Sequence, residues 1–198
     1  PGPRPATLPQ LGELPSRAGG LRRADLHRRG EVEARPYPSG GAIYQTGVYV
    51  IAHQCEGLEA GLYSYRPDDH SLYLVAQRSP EVEGLLKIAA AGAMISTPPQ
   101  VLLVLTARFA RMAWKYETIA YATMLKHVGV IFQTLYLVAT AMGLAPCALG
   151  GGGADLFARA AGLDPLEEGS VGEFILGTRP DSAEPEPQRE APATARGS

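Results

Sequence analysis

The chain has 198 residues, 45% of them hydrophobic, and a formal net charge of −2. That length predicts one domain, with or without appendages, and a sizeable core; the charge excludes a general bias toward polyanions such as nucleic acid. No apolar run reads as long enough to span a bilayer and no cleavable signal is evident, so a cytoplasmic protein without membrane partners is expected. Cys55 and Cys147 read as free thiols in a reducing compartment, and neither has a Cys or His neighbour at metal-ligand spacing, so no metal site is expected.

Residues 1–36 form a Pro- and Arg-rich arm, made basic by Arg17, Arg22, Arg23, Arg28, Arg29 and Arg35. A solvated surface segment is the simple reading, and contact with a phosphate or an acidic peptide is the sharper one. Residues 46–53 are β-branched and aromatic and predict a buried strand. Residues 61–65 and 71–76 flank the turn chemistry of Pro67-Asp68-Asp69-His70 and predict a hairpin. Ser79 and Pro80 predict the cap and first residue of a helix running to about Ala91, with Glu81 and Glu83 at its positive end. Pro98 and Pro99 stop any helix, and residues 100–107 read as a central strand.

Residues 118–142 carry Ile119, Ala122, Leu125, Val128, Ile131, Leu135, Val138 and Met142 at helical spacing and predict the longest, most buried helix, ended at Gly143. A strand over 145–149, a helix over 155–161 closed by Gly162 and a strand over 172–177 complete the domain. Residues 180–198 have almost nothing to bury and predict a disordered tail. Strands and helices interleave without a regular βαβ rhythm, which predicts an α+β layered fold.

Three segments could carry chemistry. Pro38-Ser39-Gly40-Gly41 lets backbone pass close to a ligand and offers N–H groups and the Ser39 hydroxyl, though it also reads as an ordinary turn. Leu149-Gly150-Gly151-Gly152-Gly153 follows a strand, and four glycines are entropically costly, so it reads as exposed N–H groups facing a cofactor edge or as a flexible loop. Neither has the spacing of a P-loop or of a dinucleotide fingerprint. Trp114-Lys115-Tyr116-Glu117 joins the central strand to the long helix and can place two proton-handling groups beside whatever sits over the strand's end, though Lys115 and Tyr116 also read as surface residues at a helix start. The charges of Arg108 and Arg111 upstream would favour a base there. His127 reads as a core histidine, Gln133 could face a cofactor or a subunit interface, and Arg179, just past the last strand, could reach a phosphate.

In this order the chain resembles the SagB-type, or McbC-like, flavin-dependent azoline dehydrogenases of the nitroreductase superfamily. The resemblance is carried by Arg35-Pro36-Tyr37-Pro38-Ser39-Gly40-Gly41-Ala42-Ile43-Tyr44, Gly57-Leu58-Glu59-Ala60-Gly61-Leu62-Tyr63-Ser64-Tyr65, Ala113-Trp114-Lys115-Tyr116-Glu117, Lys126-His127-Val128-Gly129 and 141–151. It covers roughly residues 8–180, and the Lys-Tyr pair is its specific element. It implies a nitroreductase-like fold with a central mixed sheet flanked by helices, a long central helix, and a homodimer with FMN at the subunit interface. Residues 37–179 would be the FMN-binding domain, preceded by an arm whose helix is weakened by Pro9 and Pro15. By resemblance, Lys115 and Tyr116 fall on the catalytic pair, Ser39, Gly40 and Gly41 on the first flavin-contacting turn, and Gly150 and Gly151 on the second.

The implied substrate is a precursor peptide carrying thiazolines or oxazolines made by a cyclodehydratase, and the implied reaction is their two-electron oxidation to thiazoles or oxazoles. Members usually carry an Arg-Ser-x-Arg-like segment upstream that holds the flavin phosphate, whereas this chain begins about where the following helix should start. The chain is then a fragment, or the phosphate is held by Arg17, Arg22, Arg23 or Arg179, or by a partner subunit. Two alternatives stand beside the azoline oxidase: a general NAD(P)H-dependent nitroreductase, and a flavin-free subunit that binds precursor peptide or scaffolds a partner enzyme.

Overall fold

The computed structural model describes residues 4–21, 23–27 and 30–179, with the backbone alone over 23–33. The expected tail and the side chains of Arg22, Arg23, Arg28 and Arg29 lie outside the described residues.

The architecture is a sheet with helices on both faces. Six strands lie in the order β7-β6-β4-β8-β10-β9: β4 (Thr46–Ala52), β6 (Gly61–Arg66), β7 (Ser71–Gln77), β8 (Val101–Arg108), β9 (Leu144–Leu149) and β10 (Glu168–Thr178). Every pairing within this sheet is antiparallel. The parallel pairing among the described strands is the short one between β1 (Ala6–Thr7) and β5 (Cys55–Glu56). A separate hairpin joins β2 (Arg23–His27) to β3 (Gly30–Ala34). β8 lies at the centre because seven consecutive residues, Val101 to Ala107, are buried, which requires cover on both faces.

Alternate residues of β8 enter different cores. Leu103 and Leu105 pack with Val50, Phe174 and Leu176 beneath α1 (Leu8–Gly19) and α4 (Ala120–Ala141). Leu102 and Val104 pack with Ile51, Leu62 and Ile175 beneath α2 (Pro80–Gly92) and α5 (Ala154–Ala161). The expected α+β layering, capped α2 and long α4 are all present. Ser79 Oγ accepts the Val82 N–H at 3.3 Å, and Gly162 closes α5 at φ +66°. On α4, Met124, Val128, Ile131, Leu135 and Ala139 repeat at helical spacing on the buried side.

Three sequence expectations change. A helix, α3 (Phe109–Tyr116), precedes the long one, so Lys115 and Tyr116 end a helix and are not a simple junction. The sequence hides α3 because Arg108 supplies no side-chain cap and Met112 is its one buried residue. Second, α3 and α4 together form a helical unit, Phe109–Ala141, that is long and apolar enough to cross a membrane by length and composition. The expectation of no such run fails because α4 itself, read from the sequence as a core helix with an apolar second half, meets the same length and composition. Here α4 supplies a wall of the core against α1, β9 and β10.

Third, the helix in the arm carries Pro15 in its interior, as the sequence implies, but has a complete N-terminal cap and packs into the core. Thr7 Oγ1 accepts the Gln10 N–H and Gln10 Oε1 accepts the Thr7 N–H at 3.0 Å, a reciprocal cap; Pro9 sits in the first turn, where no N–H is needed. Leu11 and Leu14 are fully buried against the α4 core. Thr7→Ala is expected to cost about 1 kcal/mol, seen as a melting temperature lower by roughly 2–4 °C in a thermal scan. An unchanged melting temperature would show that this cap adds nothing to the fold.

Candidate active site

β4 begins and β8 ends at the same end of the sheet, with Thr46 opposite Ala107. The turn preceding β4 and the helix following β8 are therefore forced together. The Arg108 N–H donates to the Gln45 carbonyl at 3.2 Å and ties the two exits.

The turn is tightly wound. Ser39 Oγ accepts the Tyr44 N–H at 3.1 Å, and the Ser39 carbonyl accepts the Ala42 N–H at 3.0 Å. Gly41, Ala42 and Tyr44 all have left-handed backbone, at φ +62°, +54° and +46°. Two non-glycine residues in that region mark stored strain. Glu117, directly after the Lys-Tyr pair, is a third, at φ +45° and ψ −118°.

The glycines of this turn are required by what faces them. A Cβ on Gly40 would stand 2.9 Å from the Tyr116 hydroxyl and 3.2 Å from His127 Nε2. A Cβ on Gly41 would collide with Lys115 Nζ and lie 3.3 Å from the Tyr116 hydroxyl. Lys115, Tyr116 and the Ser39-Gly40-Gly41 turn, widely separated in sequence, are thus one cluster. Lys115 Nζ lies 5.7 Å from the centre of the Tyr116 ring.

His127 completes it. The Gly40 N–H donates to His127 Nε2 at 2.8 Å, so the ring proton sits on Nδ1. A neutral ring carries one N–H, so Nδ1 donates to the Gln45 amide oxygen, 3.3 Å away, and cannot also accept from Gln45 Nε2 at 3.0 Å. The side-chain amide of Gln45 is therefore placed by its oxygen. Gln45 is 1% exposed, so this bond is well shielded. The expectation of a core histidine holds for burial, but its bond to the turn was illegible because Gly40 lies 87 residues away.

Burial pushes the His127 ring below its ordinary value of 6.5. The unfolded chain then takes up this proton at higher pH than the folded one. The stability that neutral His127 contributes is whole above about pH 6.5 and is lost as pH falls through and below it. The urea midpoint is expected to fall between about pH 7.5 and about pH 5.5, and His127→Gln should flatten that slope. An equal slope in the variant would assign the pH dependence to other groups.

The second glycine segment leaves the same end of the sheet from the far side. Leu149 pairs with Glu173, and β10 runs from there back to Glu168 opposite Arg108. Three strand spacings, roughly 14 Å, separate β4 from β9. A Cβ on Gly150 or Gly151 would meet nothing within 4 Å, whereas one on Gly152 would strike the Glu173 carboxylate. Gly152 is thus needed by the chain itself, and the open backbone at Gly150 and Gly151 is left for something outside it. Pro38 is exposed beside the turn. Gln133 is exposed on α4, away from the cluster, and Arg179 is exposed at the opposite end of β10. The eleven residues of β10 put Arg179 roughly 35 Å from the Arg108 end.

The nitroreductase family profile matches residues 18–178. The chain is a member of the nitroreductase family. A Methanocaldococcus jannaschii protein named as a nitroreductase is 31% identical over 113 residues, 57% of this chain and 56% of that protein. The Escherichia coli microcin B17-processing protein McbC is 31% identical over 115 residues, 56% of this chain and 42% of McbC. The chain spans about half the length of these curated relatives. Among solved structures, a nitroreductase-class protein of Anabaena variabilis superposes at TM-score 0.76 with 27% identity, over 85% of this chain and 34% of the other. The E. coli McbBCD microcin synthetase complex, with truncated pro-MccB17 bound, matches at TM-score 0.74 and 24% identity, over 90% of this chain and 66% of the other, which bears on fold alone. The chain accordingly has the nitroreductase family's α+β fold.

Proposed function

We propose that this nitroreductase-family protein oxidises peptide thiazolines or oxazolines to thiazoles or oxazoles with FMN, in the cytoplasmic biosynthesis of a modified peptide. The observation that carries this reading is the packing of Lys115 and Tyr116 onto Gly40 and Gly41. McbC, a processing protein for a peptide product, is among the relatives, and a McbBCD complex holding pro-peptide shares the fold.

The residues fit FMN at two places. The Ser39-Gly40-Gly41 turn brings backbone next to two proton-handling side chains, and Gly150 and Gly151 present bare backbone. When bound, FMN supplies the two-electron acceptor. Tyr116, or Lys115 acting with it, takes the Cα proton of the azoline, which is acidic beside an imine and a carbonyl, while Cβ gives up a hydride. Loss of both leaves the aromatic azole. His127 acts through Gly40, fixing the turn against which the pair is held.

The two glycine segments and Arg179 lie far apart within one chain, which favours a cofactor shared between two copies. The exposed apolar side chains of the α3–α4 unit, with Trp114 73% and Leu137 63% exposed, are suited to a homodimer face. A cyclodehydratase is the expected upstream partner, since it makes the azoline.

The test has two parts. Purified protein is expected to show flavin absorbance, and an azoline-containing peptide is expected to lose two hydrogens per ring by mass spectrometry. Colourless protein that FMN cannot reconstitute would favour the flavin-free reading. The M. jannaschii relative supports a general nitroreductase as the alternative; rapid NADH-driven flavin reduction with no azole formation would decide for it.

A further inference from the structure

α4 is bonded to the chain at both glycine segments. Near its start, His127 Nε2 accepts the Gly40 N–H at 2.8 Å. Further along, the Tyr136 hydroxyl accepts the Ala148 N–H, also at 2.8 Å. Ala148 lies in β9, just before Leu149 and the second glycine segment. A helix rises roughly 13 Å from position 127 to position 136. That is close to the three strand spacings, roughly 14 Å, between β4 and β9.

Between the two bonds α4 lies directly on the sheet. A Cβ on Gly172 of β10 would stand 2.6 Å from Val128 Cγ1 and 2.8 Å from Phe132 Cζ, both on α4. A residue without a side chain is what lets the helix cross β10 this closely. The Tyr136 ring has a set place too, edge-on to the fully buried Phe174 at 5.2 Å and 77°. β9 is the last strand of its sheet, and the outward N–H groups of an edge strand have no neighbouring strand to hold them. The bond from Ala148 ties this edge to the helix just before the chain turns into Gly150 and Gly151. On its other side the segment is seated by Gly152 against the Glu173 carboxylate.

We propose that α4 is a brace that sets the separation of the two glycine segments, and that Tyr136 is the positioning residue of the second as His127 is of the first. The inference rests on the reading that FMN contacts both segments. A rigid planar ring that meets backbone at two places binds best when those places already stand at its span, because less ordering is left to occur on binding. Tyr136 acts through Ala148 and needs no contact with the cofactor.

The test compares Tyr136→Phe with Thr134→Val. The first removes one hydroxyl and keeps the ring that packs on Phe174. The second removes a hydroxyl whose bond, to the Val130 carbonyl at 2.9 Å, stays within α4. FMN is titrated into FMN-free protein well below the melting temperature, and the quenching of its fluorescence is followed. The dissociation constant is expected to rise about tenfold in Y136F and to stay at the parent value in T134V. In the double variant Y136F/H127Q the loss should be smaller than the product of the two single losses, since a brace released at either end no longer fixes the separation. Independent effects at residues this far apart would multiply.

A role in general stability alone would lower the melting temperature of Y136F and leave its FMN affinity at the parent value, which would overturn the proposal. So would an equal loss of affinity in T134V, or single losses that multiply in the double variant. Parent protein that takes up no FMN would overturn the flavin reading and this inference together. Parent-like affinity in Y136F, beside a parent that binds FMN, would strike this inference alone.

Discussion

Lys115→Ala and Tyr116→Phe are each expected to leave flavin bound and to lower azole formation by about 100-fold or more. The reason is geometric. The two side chains converge on one short stretch of backbone, Gly40 and Gly41, where added side chains would displace them. Phenylalanine at 116 keeps the ring that packs with Met112, Ala120 and Met124 and removes only the hydroxyl, so folding should be spared. Lys115 is exposed, so its truncation should also leave the fold intact. The measurement pairs the visible spectrum of each variant with mass spectrometry of an azoline-containing peptide. Full activity in both single variants would remove the pair from the chemistry. Loss of flavin together with activity would assign them to cofactor binding.

His127→Leu is expected to destabilise the protein by about 4 kcal/mol, because it leaves two polar groups without their partner. The Gly40 N–H loses its acceptor, and the buried Gln45 amide oxygen loses its donor. For a chain of this size the melting temperature should fall by roughly 10 °C. His127→Gln can present an amide oxygen to Gly40 and an N–H to Gln45, and should recover part of the loss. A leucine variant within about 1 kcal/mol of the parent would show that the buried bonds contribute little net stability. If the azoline reading is right, the leucine variant should also lose activity below its melting temperature, since the turn facing Tyr116 is released.

Much of the fold was legible in short-range patterns. Ser79 before Pro80 marks the start of α2, Gly162 closes α5, and the apolar run of β8 announces a strand covered on both faces. α3 was not legible, because a short helix with no side-chain cap and one buried residue has neither end signal nor stripe. The arm was read as surface because its prolines and arginines outweigh a few leucines in composition. Leu11 and Leu14 nevertheless find α4, which no local pattern reveals.

The candidate site divides the same way. Residue chemistry within a few positions along the chain singled out Ser39-Gly40-Gly41, Lys115-Tyr116 and Gly150-Gly151, since glycine runs and an adjacent lysine and tyrosine are unusual in themselves. That the first two are one place was decided by the pairing of β4 with β8, which brings a turn and a helix end together at one end of the sheet. The role of His127 was decided there too. A histidine on an apolar helix looks the same in sequence whether its ring nitrogens are satisfied nearby or by a backbone N–H 87 residues away. Propensity and local chemistry act over a few residues and are written in the chain; distance between remote groups is set by sheet register, and only the folded structure holds it.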